Sequence, residues 1–282
     1  MFAPGPRQSA RRLRSLALVS SAVLVTVYLL GVRTAAGQAL GDAAYLGRLA
    51  ESKDLRVVDK HFLEAIDIRV FLLGGAALLL VAAVRRLWRA GFFVTGAYLA
   101  AILSAEILKA VLTRPILAPE MEVLMGAKQG LNTYPSGHST FATALTLGVI
   151  FLVPAVARAW VAMGGIGFVV LVTGAVVTAG WHRPSDALAG IALATIWISL
   201  IAALIIRRTG VTTAVPAAMR LVPYVGTVIG VVGAIILVVM LAHPETTGAL
   251  AMLAVKVLIF AWAVSAVTAF SYALRGVDLT RA

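Results

Sequence analysis

The chain has 282 residues, of which 61% are hydrophobic and 13% charged, and its mean hydropathy is +0.99. That balance excludes a soluble globular domain, where about half the residues are apolar and a quarter charged. The net charge of +12 falls in short clusters between apolar runs, the pattern that orients membrane proteins. No extended basic stripe or interleaved aromatic platform points to nucleic acid. Cysteine is absent, which excludes a disulfide framework and a thiolate metal site.

In chain order, residues 1–15 carry Arg7, Arg11, Arg12 and Arg14 and no acid. An apolar run from about Leu16 to Val32 follows. It is long enough to span and lacks a small-residue cleavage site, so it reads as a retained first helix rather than a signal peptide. Residues 33–68 are the one long polar segment, with six acids. Leu46, Leu49, Leu55, Val58, Phe62 and Ile66 recur through it as in an amphipathic helix on or near the membrane, or one packed on its own bundle. Further apolar runs cover about 69–84, 91–112, 139–157, 160–180, 186–206, 222–242 and 248–274. Each reaches or approaches the ~20 residues that cross a bilayer. The fold class is therefore an all-α, polytopic membrane helical bundle of eight runs. Residues 1–206 read as a six-helix core, with 33–68 as its extracytoplasmic loop. Residues 207–282 read as two additional transmembrane helices and a short cytoplasmic tail. Nothing in the chain specifies an oligomeric state.

Placing the N-terminus in the cytoplasm and alternating puts the arginines at 85, 86, 89, 158, 207, 208, 220, 275 and 281 on the cytoplasmic side with the four at the N-terminus, and Asp278 as their only acid. This is the positive-inside arrangement of a cell-membrane protein. It sends two polar islands to the opposite, outer face: 113–138, which ends in Asn132-Thr-Tyr-Pro-Ser-Gly-His138, and Trp181-His-Arg-Pro-Ser-Asp186.

The islands carry the chemistry. Each holds one histidine, the side chain best suited to proton transfer near neutral pH. Pro135, Ser136 and Gly137 form a tight turn that can aim backbone N–H groups at an anion. His182 and Asp186 are four apart, a helical spacing at which the carboxylate would hold the imidazole in one tautomer. Asp186 also suits the first turn of the sixth helix. Lys109 follows Glu106 by three residues on the end of the third helix, and Arg114 precedes Pro115, which disfavours helix there. Two cations, a turn and two histidines are what a dianionic phosphate requires. Read singly, Lys109 is also a helix-end lysine reaching for the interface, His182 a neighbour of the interfacial Trp181, and Arg183 a head-group or solvent contact. Lys256, inside the eighth run, is an intramembrane charge with no acid near it in sequence.

These residues resemble the type 2 phosphatidic acid phosphatases, whose motifs are K-x6-R-P, P-S-G-H and S-R-x5-H-x3-D. Pro135–His138 completes the second motif, and His182 to Asp186 matches H-x3-D. The first motif stands as Lys109 to Arg114-Pro115, two residues short, so the family's arginine would fall at Ile116. The S-R pair would fall at Ala175 and Val176, so that arginine is missing. The resemblance covers roughly 90–206. It implies a metal-independent membrane phosphatase with no cofactor. His182 would be the nucleophile, Asp186 its orienting carboxylate, and His138 the acid and then the base. Lys109, Arg114, Ser136, Gly137 and Arg183 would bind phosphate. Its partners would be membrane lipids and a lipid phosphate: polyprenyl pyrophosphate, phosphatidylglycerol phosphate, phosphatidic acid or a polyprenyl-phosphate sugar phosphate. The alternatives are a phosphotransferase using the same site, and a non-catalytic transporter or scaffold on a degenerate core, which the missing arginine motivates.

Overall fold

The computed structural model describes residues 5–117, 132–215 and 248–279, together with 226, 228–233, 235 and 239. The first helix, α1 (Pro6–Thr26), begins ten residues before its apolar run because Pro6 sits in the first turn behind Gly5, where its missing N–H costs nothing. It continues as a π-helical turn, Val27–Val32. The polar segment after it is two helices rather than one. Thr34 caps α2 (Ala35–Gly47) by accepting from the Gly37 N–H. A 3-10 turn follows at Arg48–Ala50, and Ser52 caps α3 (Lys53–Glu64) by accepting from Leu55 N–H. Each hydroxyl satisfies an orphan donor that would otherwise fray the helix start.

Asp67 caps α4 (Ile68–Val84) in the same way through the N–H groups of Arg69 and Val70. Then come α5 (Trp88–Val111), α6 (Gly137–Leu152), α7 (Arg158–Thr178), α8 (Pro184–Thr209) and α9 (Gly248–Ala273). Pro154 follows α6, where it cannot continue the helix. Among the described residues, five helices are long and apolar enough to cross a membrane: α1 with its π turn, α5, α7, α8 and α9. The α3–α4 pair, bent by 63°, makes a sixth if counted as one span, and α6 is a shorter apolar helix. The chain is a multi-pass membrane protein with an all-α bundle. Most of the seventh apolar run, 222–242, lies outside the described residues.

The centre of the bundle is α8, which packs against α1, α5, α6 and α9. Its buried face is rich in small residues, among them Ala187, Ala189, Gly190, Ala194 and Ala202. Such residues let helix backbones approach closely in a membrane. Gly190 marks a close approach: a Cβ there would stand 2.6 Å from the Ser136 carbonyl oxygen. This crossing brings the Pro135–His138 turn against the start of α8. The α9 helix packs on α2, α7 and α8.

The two ends of the bundle differ in charge. At the end away from the islands, Arg158 is buried and donates to the carbonyls of Leu274 (3.0 Å) and Val277 (2.5 Å) and to Asp278 (3.4 Å). Arg85 donates to Leu152 O (3.0 Å) and Asp278 (3.2 Å). A two-stranded antiparallel ribbon, β1 (Gly210–Thr212) with β2 (Val277–Leu279), closes this end. Lys256 has a partner that sequence proximity could not supply: it meets Glu51, 205 residues away, at 2.6 Å.

Candidate active site

The two islands meet at one end of the bundle. The Ser136 N–H donates to the Asp186 carbonyl at 2.9 Å, a direct backbone link between them. Two residues beyond the end of α7 stands Gly180, whose φ of +75° is the left-handed conformation that glycine adopts without strain. The next two N–H groups, of Trp181 and His182, both fold back onto the Val176 carbonyl at 2.9 and 3.1 Å. His182 thus lies in the turn between α7 and α8, not on α8. The i, i+4 geometry with Asp186 arises from this turn and the Arg183-Pro184 helix start instead of a continuous helix.

Asp186 is fully buried and is the hub. Its Oδ1 accepts from Arg114 Nη2 at 2.9 Å and Ser185 Oγ at 3.1 Å. Its Oδ2 accepts from Thr133 Oγ1 at 2.5 Å and the Arg183 N–H at 3.2 Å. The same Oδ2 lies 3.6 Å from His182 Nδ1, an electrostatic contact slightly beyond hydrogen-bond length. The Nδ1 edge of His182 thus faces the carboxylate, without a hydrogen-bond partner among the described residues.

Arg114 also donates to Ser185 Oγ at 3.3 Å, and its backbone N–H is held by Asn132 Oδ1 at 3.0 Å. Its Nε and Nη1 are buried without a hydrogen-bond partner among the described residues. Burial pulls the Arg114 pKa down and the Asp186 carboxylate opposes that shift, but a guanidinium starts so high that it stays charged.

His138 sits in the first turn of α6. Ser136 caps that helix, accepting from the Ser139 N–H at 3.4 Å through Oγ and from the Thr140 N–H at 3.1 Å through its carbonyl. The N–H groups of Gly137 and His138 are the first two of the helix and have no intrahelical acceptor. The His138 ring stands edge-on to Trp181 at 5.4 Å and to Phe71 at 5.9 Å between centroids. The carbonyls of Ile66 and Leu63, at the α3–α4 elbow, face its imidazole. Its Nε2 is buried with no partner among the described residues.

An open cavity of about 640 Å³ joins these parts, and its walls include Lys109, Gly137, His138 and His182. Lys109 Nζ pairs with Glu106 at 2.7 Å, as their spacing predicts. A Cβ on Gly137 would stand 3.1 Å from that Glu106 carboxylate and 3.5 Å from Lys109 Nζ. Four other residues singled out in the sequence do not line the cavity: Arg114, Ser136, Arg183 and Asp186 form the packed layer behind it. Arg183 is turned onto Asp42 of α2, Nε to Oδ1 3.2 Å, both side chains buried.

The sequence reading missed several wall residues: Tyr45, Lys60, Phe71, Asn132 and Thr133. Asn132 and Thr133 open the second motif's island and could have been flagged as polar neighbours. Tyr45 and Lys60 come from the amphipathic segment, which carries no motif. A smaller cavity of about 320 Å³ lies at the opposite end between α5 and α8, with Arg89 and Arg208 as its charged lining.

Residues 87–209 match a family model described as the PAP2 superfamily. No curated protein and no solved structure matches the chain.

Proposed function

We propose that the chain, whose residues 87–209 match the PAP2 superfamily, a family generally made of phosphatases, hydrolyses a lipid phosphate at the outer face of the cell membrane by way of a phosphohistidine. One observation carries this reading: two histidines from separate islands open into one cavity beside Lys109, and a buried carboxylate lies behind one of them.

In this reading His182 Nε2 attacks phosphorus. The P–O bond to the lipid breaks as the N–P bond forms, and His138 gives its proton to the departing oxygen. His138 then takes a proton from water, which attacks the phosphohistidine and frees inorganic phosphate and His182. Asp186 stabilises the imidazolium through Oδ2. Lys109 and the N–H groups of Gly137 and His138 offer donors to the charge that develops on the phosphoryl oxygens, while Arg114 acts from behind the cavity by pairing with Asp186 at 2.9 Å. Ser136 acts by capping α6, and Arg183 by holding Asp42. The outer-face assignment rests on the arginine-rich opposite end of the bundle.

The test is phosphate release by purified protein from phosphatidate, phosphatidylglycerol phosphate, polyprenyl diphosphate and a polyprenyl-phosphate sugar phosphate, with His182→Ala beside it and EDTA present. The reading expects turnover of one lipid by wild type and none by the variant. Equal background from both on every lipid would return the missing Val176 arginine to the foreground, as a sign of a transferase needing another acceptor or of a binding protein.

A further inference from the structure

We propose that residues 35–64, which precede the family-matched segment, are part of the active site, and that Lys60 binds the phosphate oxyanions of the substrate there. The proposal rests on the phosphatase reading only for the identity of the anion.

The segment is fastened to the bundle at several points. Asp42 pairs with Arg183 at 3.2 Å, beside the second island. Glu51 pairs with Lys256 of α9 at 2.6 Å. Arg48 lies over the Tyr45 ring at 4.4 Å, and a Cβ on Gly180 would stand 2.8 Å from its Nε. The elbow after α3 presents the Ile66 and Leu63 carbonyls to His138. A helix held this way keeps its side chains in register with the core, and the side chain it delivers into the cavity is Lys60.

The charge inventory of the cavity then favours a role for it. Lys109, the motif lysine, is paired with Glu106 at 2.7 Å. Where the third motif would carry an arginine, Val176 is fully buried among apolar side chains. A dianion in this cavity therefore lacks one of the cations that the motif would provide. Among the described residues Lys60 has only a 3.7 Å contact with Glu64, and both side chains are about half exposed (57% and 47%). A pair that long and that wet contributes almost nothing, so the ammonium is available to a phosphate oxygen. Lys60 would thus be a head-group ligand contributed from outside the family core.

Binding of inorganic phosphate to the full-length protein in detergent, measured by titration calorimetry, tests this without requiring turnover. Removing one charge-assisted hydrogen bond should weaken phosphate binding about tenfold in Lys60→Gln, and Lys60→Arg should restore it to within about threefold. Thermal stability should be the same in all three proteins, because an exposed side chain holds no packing role. In turnover assays the same loss should appear in KM, with kcat little changed. A rise with phosphatidate and with a prenyl diphosphate alike places Lys60 on the transferred phosphoryl group; a rise with the diphosphate alone places it on the second. Phosphate binding that is equal in wild type and Lys60→Gln, or absent from wild type at millimolar phosphate, would overturn the proposal. Phosphate binding that depends on Lys60 in a protein with no turnover would support it while removing the hydrolase reading.

Discussion

Asp186 and Arg114 form a buried pair whose double-mutant cycle separates folding from chemistry. The two side chains are 0% and 3% exposed and meet at 2.9 Å. Truncating one partner of such a pair leaves the other charge buried, which costs about 3–5 kcal/mol. Arg114→Met and Asp186→Asn should each approach that figure, softened at Asp186→Asn because the amide keeps the shape and can still accept from Thr133 and the Arg183 N–H. Combining them removes both charges, so the double variant should be less destabilised than the sum by about 2 kcal/mol. Unfolding titrations in mixed micelles would read the three stabilities. Activity should behave differently. Asp186→Asn deprives the His182 imidazolium of its counter-charge and should lower kcat by at least about a hundredfold, and the double variant should stay inactive while its stability recovers. Additive stabilities would show that the two groups do not act as a pair. A double variant with restored turnover would show that Asp186 matters only through Arg114, and the assigned role at His182 would fall.

Gly137→Ala should keep the fold and nudge the Glu106 carboxylate that its Cβ would meet at 3.1 Å, disturbing its pair with Lys109 and lowering kcat/KM by up to about tenfold, less than the roughly hundredfold that a shift of about 1 Å can cost; steady-state kinetics beside a melting curve would check both halves. At the opposite end, burial would raise the Asp278 pKa, but the N–H groups of Leu279 and Ala155 and the guanidinium groups of Arg158 and Arg85 more than reverse this and hold it below the usual carboxylate range. A carboxyl depressed in the folded state stabilises above its unfolded pKa of about 3.9 and loses that contribution as pH falls through the folded value. The stability gap between wild type and Asp278→Asn should therefore be full at pH 6 and close below about pH 4. The chain has no cysteine, and Lys53 is exposed at the start of α3. Lys53→Cys should react with a membrane-impermeant thiol reagent in intact cells, and labelling only after permeabilisation would invert the topology.

Much of the bundle was legible because apolar length is a strong signal: the runs at 91–112, 160–180, 186–206 and 248–274 return as α5, α7, α8 and α9 within a few residues at each end. The polar segment was harder. Its apolar spacing read as one helix, but Glu51 is extended and Ser52 is a cap, so the chain breaks into α2 and α3. The pairing of Glu106 with Lys109 could be read because it is local. The partners of Arg114, Arg183 and Lys256 could not, because each lies between 72 and 205 residues away. Local spacing also gave the right neighbour for His182 for the wrong reason, since a turn and not a helix brings Asp186 under it. Lys60 had no sequence signal at all: its place depends on where α3 docks.

The central claim is that His182 carries the phosphoryl group and His138 serves both halves of the reaction. Rapid alkaline quench of the purified protein with a lipid labelled in its terminal phosphate tests it most directly. The account predicts a base-stable, acid-labile phosphoprotein in wild type that is absent from His182→Ala and accumulates in His138→Ala when the lipid bears a good leaving group. Wild-type protein that turns over without any labelled intermediate, or label that persists in His182→Ala, would contradict it.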